Sequence, residues 1–256
     1  MAERGRTSGL PPSANGASSA HAWWACPGPL REVAVTLEVL VPPAGRWLHF
    51  WALQASFVDG GRRTGGAHLG LQHAPAHPGA AAVNWGGYRD GGGELPGSES
   101  ALPSAPRNPN TRDYAWGARR PYRLRIGPGS EPGVWRGEVT DLTTGEATVV
   151  RELWCPGSAL ADPVVWSEVF APCDAPGTAV RWSDPSATGV DGRVLVPGEV
   201  RVTYQSYEDG GCTNSATFAD GAAVVQATAA GRRVPHGALL RLTDSSKPRP
   251  PACRVP

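Results

Sequence analysis

A chain of 256 residues with a formal net charge of +1 is long enough to bury the core of one large domain. No block of basic residues stands out, so the sequence lacks the charge pattern that nucleic acid or an anionic membrane attracts. No apolar run approaches the length of a bilayer span. We therefore expect a soluble protein with neither nucleic acid nor a membrane as partner; the oligomeric state stays open.

Both ends of the chain are poor in large apolar residues. Residues 1–22 are rich in Gly, Ser, Ala and Pro, and residues 243–256 contain four prolines. Both segments are predicted to be disordered, which leaves one domain at 23–242. No continuous apolar segment follows Arg4 and Arg6, so no signal peptide is predicted. The location is then cytoplasmic by default, or extracellular if the start is mis-set or trimmed.

Strand signals alternate with turn-forming residues along the domain. The first, VAVTLEVLV at 33–41, is dense in β-branched residues, and the pair at 134–142 and 146–154 forms a hairpin around Thr144-Gly145. Gly or Pro interrupts every window with helical spacing. The fold class is therefore all-β, a two-sheet antiparallel sandwich. In chain order, the predicted strands are 33–41, 47–58, 67–73, 122–126, 134–142, 146–154, 164–170, 200–207, 222–227 and 238–242.

The segment 89–118 has almost no strand pattern. A loop of about thirty residues inside a compact domain is unusual, and such loops are either functional or disordered. This one carries Tyr114 and Trp116 together with Glu94 and Glu99. Because disordered segments usually lack such aromatic residues, we expect a partly ordered loop that folds over one face of the sandwich.

The five cysteines include no C-x-x-C pair, which argues against zinc and thioredoxin-like sites. Cys173 and Cys212 each lie beside a turn-forming stretch just past a strong strand, and we predict a disulfide between them. Buried free thiols are the alternative. Pro75 and Pro78 prevent a helix that would align the clustered histidines at 68, 73 and 77, so no metal site is predicted. No nucleotide-binding motif occurs, so no cofactor is predicted either.

Ten tryptophans suggest a ligand-binding face. The period of two along 164–170 places Trp166 and Glu168 on the same side of a strand. A ring beside a carboxylate can stack on a sugar and accept hydrogen bonds from its hydroxyls. The alternative is that the aromatic side chains are core residues and that the acid only satisfies a structural partner. The predicted binding residues are Trp85, Tyr88, Trp116, Trp166, Glu168, Gln72 and Gln205, with Gln54 projecting to the same side.

No complete catalytic signature is present. The nucleophile elbow G-x-S-x-G is absent. Glycosidases need two carboxylates at a defined separation, and Glu168 has no acid at positions 166 or 170. A cross-strand pair of Glu168 with Glu208 stays open. Glu168 is therefore the one candidate catalytic residue, and the sequence favours a protein that is not an enzyme.

The sequence contains the strings LGLQ at 69–72, NWGGY at 84–88, VWSEVF at 165–170 and YQS at 204–206. These strings resemble a group of uncharacterised bacterial proteins with a concanavalin A-like jelly-roll sandwich. The resemblance implies an association with carbohydrate, although the acid-x-acid-x-x-acid strand of the glucanases is absent. We therefore expect a carbohydrate-binding protein with a glycan as partner. The alternatives are a glycoside hydrolase or polysaccharide lyase that uses Glu168, and a structural or adhesion protein without a ligand site.

Overall fold

The computed structural model describes residues 5–243, and within that range it contains sixteen β-strands and no helix. No helix long and apolar enough to cross a bilayer is therefore found in the described part of the chain. The strands are β1 (Ser18–Trp24), β2 (Leu30–Val41), β3 (His49–Asp59), β4 (Arg62–Ala74), β5 (Ala80–Arg89), β6 (Thr111–Asp113), β7 (Pro121–Pro128), β8 (Val134–Asp141), β9 (Glu146–Trp154), β10 (Ala159–Val169), β11 (Ala179–Gly189), β12 (Val194–Leu195), β13 (Glu199–Tyr204), β14 (Ser215–Asp220), β15 (Ala223–Thr228) and β16 (Leu239–Arg241).

The strands form two antiparallel sheets, which confirms the predicted sandwich. The first sheet has the order β16-β13-β1-β10-β3-β4-β5-β6, and the second has the order β14-β15-β11-β2-β7-β8-β9, with β12 beside β11. A single residue pair, Leu160 with Leu30, joins β10 to β2 and links the two sheets. Each sheet therefore has one face turned toward the core and one face turned outward.

The core lies between the sheets because each central strand alternates in hydrophobicity. In β3, Trp51, Leu53 and Phe57 point inward and are buried. Phe57 meets Trp135 of the second sheet, with ring centroids 5.1 Å apart. Trp85 of β5 is also fully buried in this core. Alternation then places the residues between these positions on the opposite face.

The N-terminal boundary of the domain is earlier than predicted. The sequence predicts disorder up to residue 22, but β1 begins at Ser18 and lies inside the first sheet, between β10 and β13. Its inward residues include Ala20 and Ala22, whose small side chains give a weak strand signal. Residues 1–4, and the predicted tail at 243–256 apart from Thr243, lie outside the described residues.

The segment 89–118 folds against the sheets and contains β6. Its Leu95 is buried and donates a backbone hydrogen bond to Gly87, while Ser98 donates one to Glu152 of β9. The segment therefore spans the edges of both sheets near β5 and β9.

The predicted disulfide between Cys173 and Cys212 is confirmed, with the two Cα atoms 5.5 Å apart. Cys155 is a buried thiol, and Cys253 lies outside the described residues.

The close approach of the sheets at Gly137 makes a testable prediction. A Cβ atom at Gly137 would lie 2.6 Å from Cγ of Trp85, which cannot move because it is fully buried. Gly137→Ala should therefore lower the free energy of unfolding by about 1–3 kcal/mol. The matched control is Gly231→Ala, where a Cβ atom meets nothing within 4 Å. Equal stability of both variants in urea unfolding would contradict this account of the packing.

Candidate functional site

The outer face of the first sheet, the side turned away from the core, carries an ordered row of side chains. Glu168 pairs with Ser19 of β1 on one side and with Phe50 of β3 on the other, and Phe50 pairs with Gln72 of β4. Directly paired residues project to the same face. Two strand spacings place the Cα atoms of Glu168 and Gln72 about 10 Å apart. Both side chains are long enough to reach over the Phe50 ring from opposite sides.

The carboxyl group of Glu168 is partly buried. Burial raises the pKa of Glu168 above its ordinary value, and hydrogen bonds from Asn15 and Ser19 partly offset the increase. Nδ2 of Asn15 lies 3.4 Å from Oε1 of Glu168. A carboxyl group with a raised pKa can both release and retain a proton near the pH at which it works, as general acid–base chemistry requires.

The Gln72 carboxamide is buried and fixed by its neighbours. Its Oε1 accepts a hydrogen bond from Oγ1 of Thr111 at 3.4 Å, and Thr111 in turn accepts one from Nδ2 of Asn84 at 2.8 Å. The indole Nε1 of Trp116 donates to the backbone oxygen of Gln72 at 2.9 Å. Gln72 is therefore a rigid polar group rather than a mobile surface side chain.

An aromatic cluster adjoins this row. The rings of Phe50 and Trp166 lie 4.9 Å apart, and His68 lies 5.4 Å from Phe50 and 5.7 Å from Trp166. Trp166 is only 5% exposed, and its Nε1 donates to Oε1 of Gln54 at 3.0 Å. The sequence placed Trp166 and Glu168 on one face correctly, but the Trp166 ring is packed rather than open to a ligand.

Two histidines on this face are neutral at pH 7. Burial lowers the pKa of His21 and of His68 to about 4 in each case. The His21 ring stacks with the Trp23 ring at 5.9 Å, and Nε1 of Trp23 donates to Oγ1 of Thr203 at 3.0 Å. The surface around Glu168 thus presents aromatic rings, amides and hydroxyls and little charge.

Glu168 has no second carboxylate beside it in its row. The next acid in that row is Asp113 of β6, four strand spacings or about 19 Å away. The open pairing with Glu208 is not realised, because Ser19 and Phe50 are the strand partners of Glu168. Glu208 is exposed in a turn after β13. This arrangement does not match a two-carboxylate glycosidase site.

Three other predicted binding residues, Trp85, Trp116 and Tyr88, do not lie together in the structure. Trp85 belongs to the core, because the alternation along β5 that turns Asn84 outward turns Trp85 inward. Trp116 packs against the core residue Trp51, with ring centroids 5.8 Å apart. Tyr88 is 59% exposed near the end of β5.

Gln205 lies near the Glu168 end of the row, where its Oε1 accepts a hydrogen bond from the backbone of Ser19 at 3.1 Å. Of the predicted binding residues, Glu168 and Gln72 therefore lie in the row and Gln205 lies beside it. Sequence reasoning missed Phe50, His21 and Thr111. Alternation along 47–58 could have found Phe50, whereas Thr111 follows a long irregular segment without any pattern.

No protein-family model matches the sequence, and a search of curated proteins finds no match. Among solved structures, the chain is similar to scytalido-glutamic peptidase with a peptide-based transition state analog. The match has 11% identity and a TM-score of 0.52, and covers 82% of this chain and 97% of the other. SCP-B, a member of the eqolisin family of peptidases in complex with the tripeptide Ala-Ile-His, matches with 10% identity, the same coverages and a TM-score of 0.49.

The first likeness shows a shared β-sandwich fold. The two chains share this architecture despite their low sequence identity. The more specific expectation of a concanavalin A-like jelly roll stays a prediction.

The buried histidines predict how stability depends on pH. The pKa values of His21, His49 and His68 are each lowered to about 4 from 6.5. At a pH between about 4 and 6.5, these histidines bind protons in the unfolded chain but not in the folded protein. The free energy of unfolding should therefore fall as the pH falls from about 6.5 to 4. His68→Gln should reduce this loss when urea unfolding is followed by tryptophan fluorescence at pH 7 and pH 4.5; an unchanged loss would show that His68 does not contribute.

Proposed function

We propose that the chain is a hydrolase whose active site is the row of Glu168, Phe50 and Gln72, and that its substrates are peptides. The observation that carries the proposal is a carboxyl group of raised pKa that faces a fixed carboxamide across one aromatic ring. This geometry supports the roles that we propose for Glu168 and Gln72. The choice of peptides is supported by the fold neighbour, a glutamic peptidase bound to a peptide-based transition state analog.

In the proposed reaction, ionised Glu168 accepts a proton from a water molecule whose oxygen bonds to the carbonyl carbon of the peptide. The carbonyl oxygen becomes an oxyanion and accepts a hydrogen bond from the Gln72 carboxamide. Glu168 then donates the proton to the amide nitrogen, the C–N bond breaks, and a carboxylic acid and an amine are released. One side chain thus acts first as base and then as acid.

The surroundings of the row suit an uncharged substrate. The packed rings of Phe50 and Trp166 form an apolar cluster, and His21 and His68 are neutral at pH 7 because burial lowers the pKa of each to about 4. These groups place no fixed charge beside the scissile bond. We therefore expect extended peptides with apolar residues around the cleaved bond to be the better substrates.

A second candidate function is the binding of a neutral glycan. The observation that favours it is the stacked pair of His21 and Trp23, which is only partly buried and lies beside the hydroxyl group of Thr203. A ring next to hydroxyl and amide groups can contact both the apolar face and the hydroxyls of a sugar. This site lies on the same outer face as Glu168, one strand away.

Glu168→Gln tests the hydrolase. We expect peptide cleavage to fall about a hundredfold or more, because the amide can neither accept nor donate the transferred proton. The variant should also be more stable than the wild type at pH 7. Because folding raises the pKa of Glu168, its ionised form disfavours the folded state. The contribution of Glu168 to the free energy of unfolding is therefore most favourable below pH 4.5 and is lost as the pH rises through the folded pKa.

The matched control is Glu131→Gln, an exposed acid in the β7–β8 turn. It should keep both activity and stability. Cleavage by Glu168→Gln at the wild-type rate would show that the row is not the active site.

Trp23→Ala tests the glycan site. If the stacked pair holds a sugar, the variant should lose about 1–2 kcal/mol of binding energy, or roughly tenfold in affinity, in a fluorescence titration with neutral oligosaccharides. Trp154→Ala is the matched control, because Trp154 is a partly exposed tryptophan at the end of β9. No binding by the wild type, or equal losses in the two variants, would remove the glycan function.

A further inference from the structure

We infer that Thr111 is a positioning residue that fixes which end of the Gln72 carboxamide faces the substrate, and that Asn84 sets the direction in which Thr111 acts. The inference rests on the proposed function, since it assigns how Gln72 is prepared for the oxyanion. It concerns two residues that touch neither Glu168 nor the substrate. Their effect on the oxyanion passes through Gln72, while Asn84 also forms a side-chain hydrogen bond with His68.

The three side chains form a buried chain of hydrogen bonds. Gln72 and Thr111 are each 6% exposed and Asn84 is 4% exposed, so water does not compete for these bonds. Asn84 and Thr111 are direct partners across β5 and β6. Ala82, which pairs with Gln72, is small, and this leaves room for the Thr111 hydroxyl group to reach Oε1 of Gln72.

The direction of these hydrogen bonds follows from the number of protons that each group can donate. Asn84 donates through Nδ2 to Oγ1 of Thr111 at 2.8 Å. The hydroxyl group has one proton, which remains available, and it is donated to Oε1 of Gln72 at 3.4 Å. Because the carboxamide oxygen of Gln72 is held by Thr111, the NH2 group at the other end points away from Thr111. Gln72 then presents a donor to the outer face.

This orientation matters because the two ends of a carboxamide have opposite effects on an oxyanion. An NH2 group stabilises the negative charge, whereas a carbonyl oxygen repels it. A carboxamide without a fixed partner can rotate by half a turn with little change in shape. Without the hydroxyl group of Thr111, part of the protein would present the wrong end of Gln72, and the loss would appear in the transition state.

The kinetic test compares Thr111→Val, Thr111→Ser and the wild type on a peptide that the wild type cleaves. We expect Thr111→Val to lower kcat at least tenfold and to change KM by less than about twofold, since an interaction of the transition state is lost. Thr111→Ser keeps the hydroxyl group and should recover most of kcat. Equal kcat in the valine variant and the wild type, with both folded by circular dichroism, would overturn the inference.

A second test does not depend on activity. In wild-type protein labelled with 15N, the side-chain NH2 protons of Gln72 should show stronger nuclear Overhauser effects to the Phe50 ring than to the Thr111 methyl group. In Thr111→Val, the effects from these protons to the methyl groups of residue 111 should become stronger relative to those to the Phe50 ring. Stronger effects to the Thr111 methyl group than to the Phe50 ring in the wild type would overturn the inference, even if no peptide is cleaved. Absence of cleavage with the expected Overhauser pattern would instead reject the proposed function alone.

Discussion

The register of three neighbouring strands is the constraint on which the rest of the site depends. Because β10, β3 and β4 are antiparallel and paired in one register, Glu168, Phe50 and Gln72 lie in one row and project to one side. A shift of one residue in β10 would turn Glu168 into the core and Val165 outward. The β-bulge between Ala161 and Val164 adjusts the pairing of β10 with β3 just before this region. The core and the site are therefore fixed together by the same alternation.

The outer face maintains groups that are unfavourable for stability. A partly buried carboxyl group and two histidines whose pKa values are lowered to about 4 occupy a surface on which apolar residues would be more stable. Their effects on stability oppose each other with pH, because the acid favours the folded state when it is protonated and the histidines favour it when they are neutral. Functional sites commonly combine such groups at a cost in stability. The packed Phe50 and Trp166 rings offset part of that cost.

The sequence predicts the strands and faces well wherever alternation is strong. In β4, Leu69 and Leu71 point inward and Gln72 outward, as the pattern along 67–73 indicates. The pattern fails for β1, whose inward alanines have little strand propensity, and for Trp85, which is predicted to bind a ligand but lies in the core. The row itself could not be predicted. It joins strands that are far apart in the sequence, and their register depends on contacts across the whole sheet.

The disulfide that the sequence predicts is also connected to the site. Cys212 donates its backbone N–H to Oγ of Ser18 at 2.8 Å, and the backbone N–H of Cys173 donates to the carbonyl oxygen of Gly9. The two joined loops therefore hold the segment that leads into β1. Asn15, which contacts Glu168, belongs to that segment, and Ser19 follows at the start of β1. The hydrogen bonds from Asn15 and Ser19 lower the pKa of Glu168 and partly offset the increase caused by burial, so a covalent bond outside the row helps to hold in place the residues that act on the carboxyl group within it.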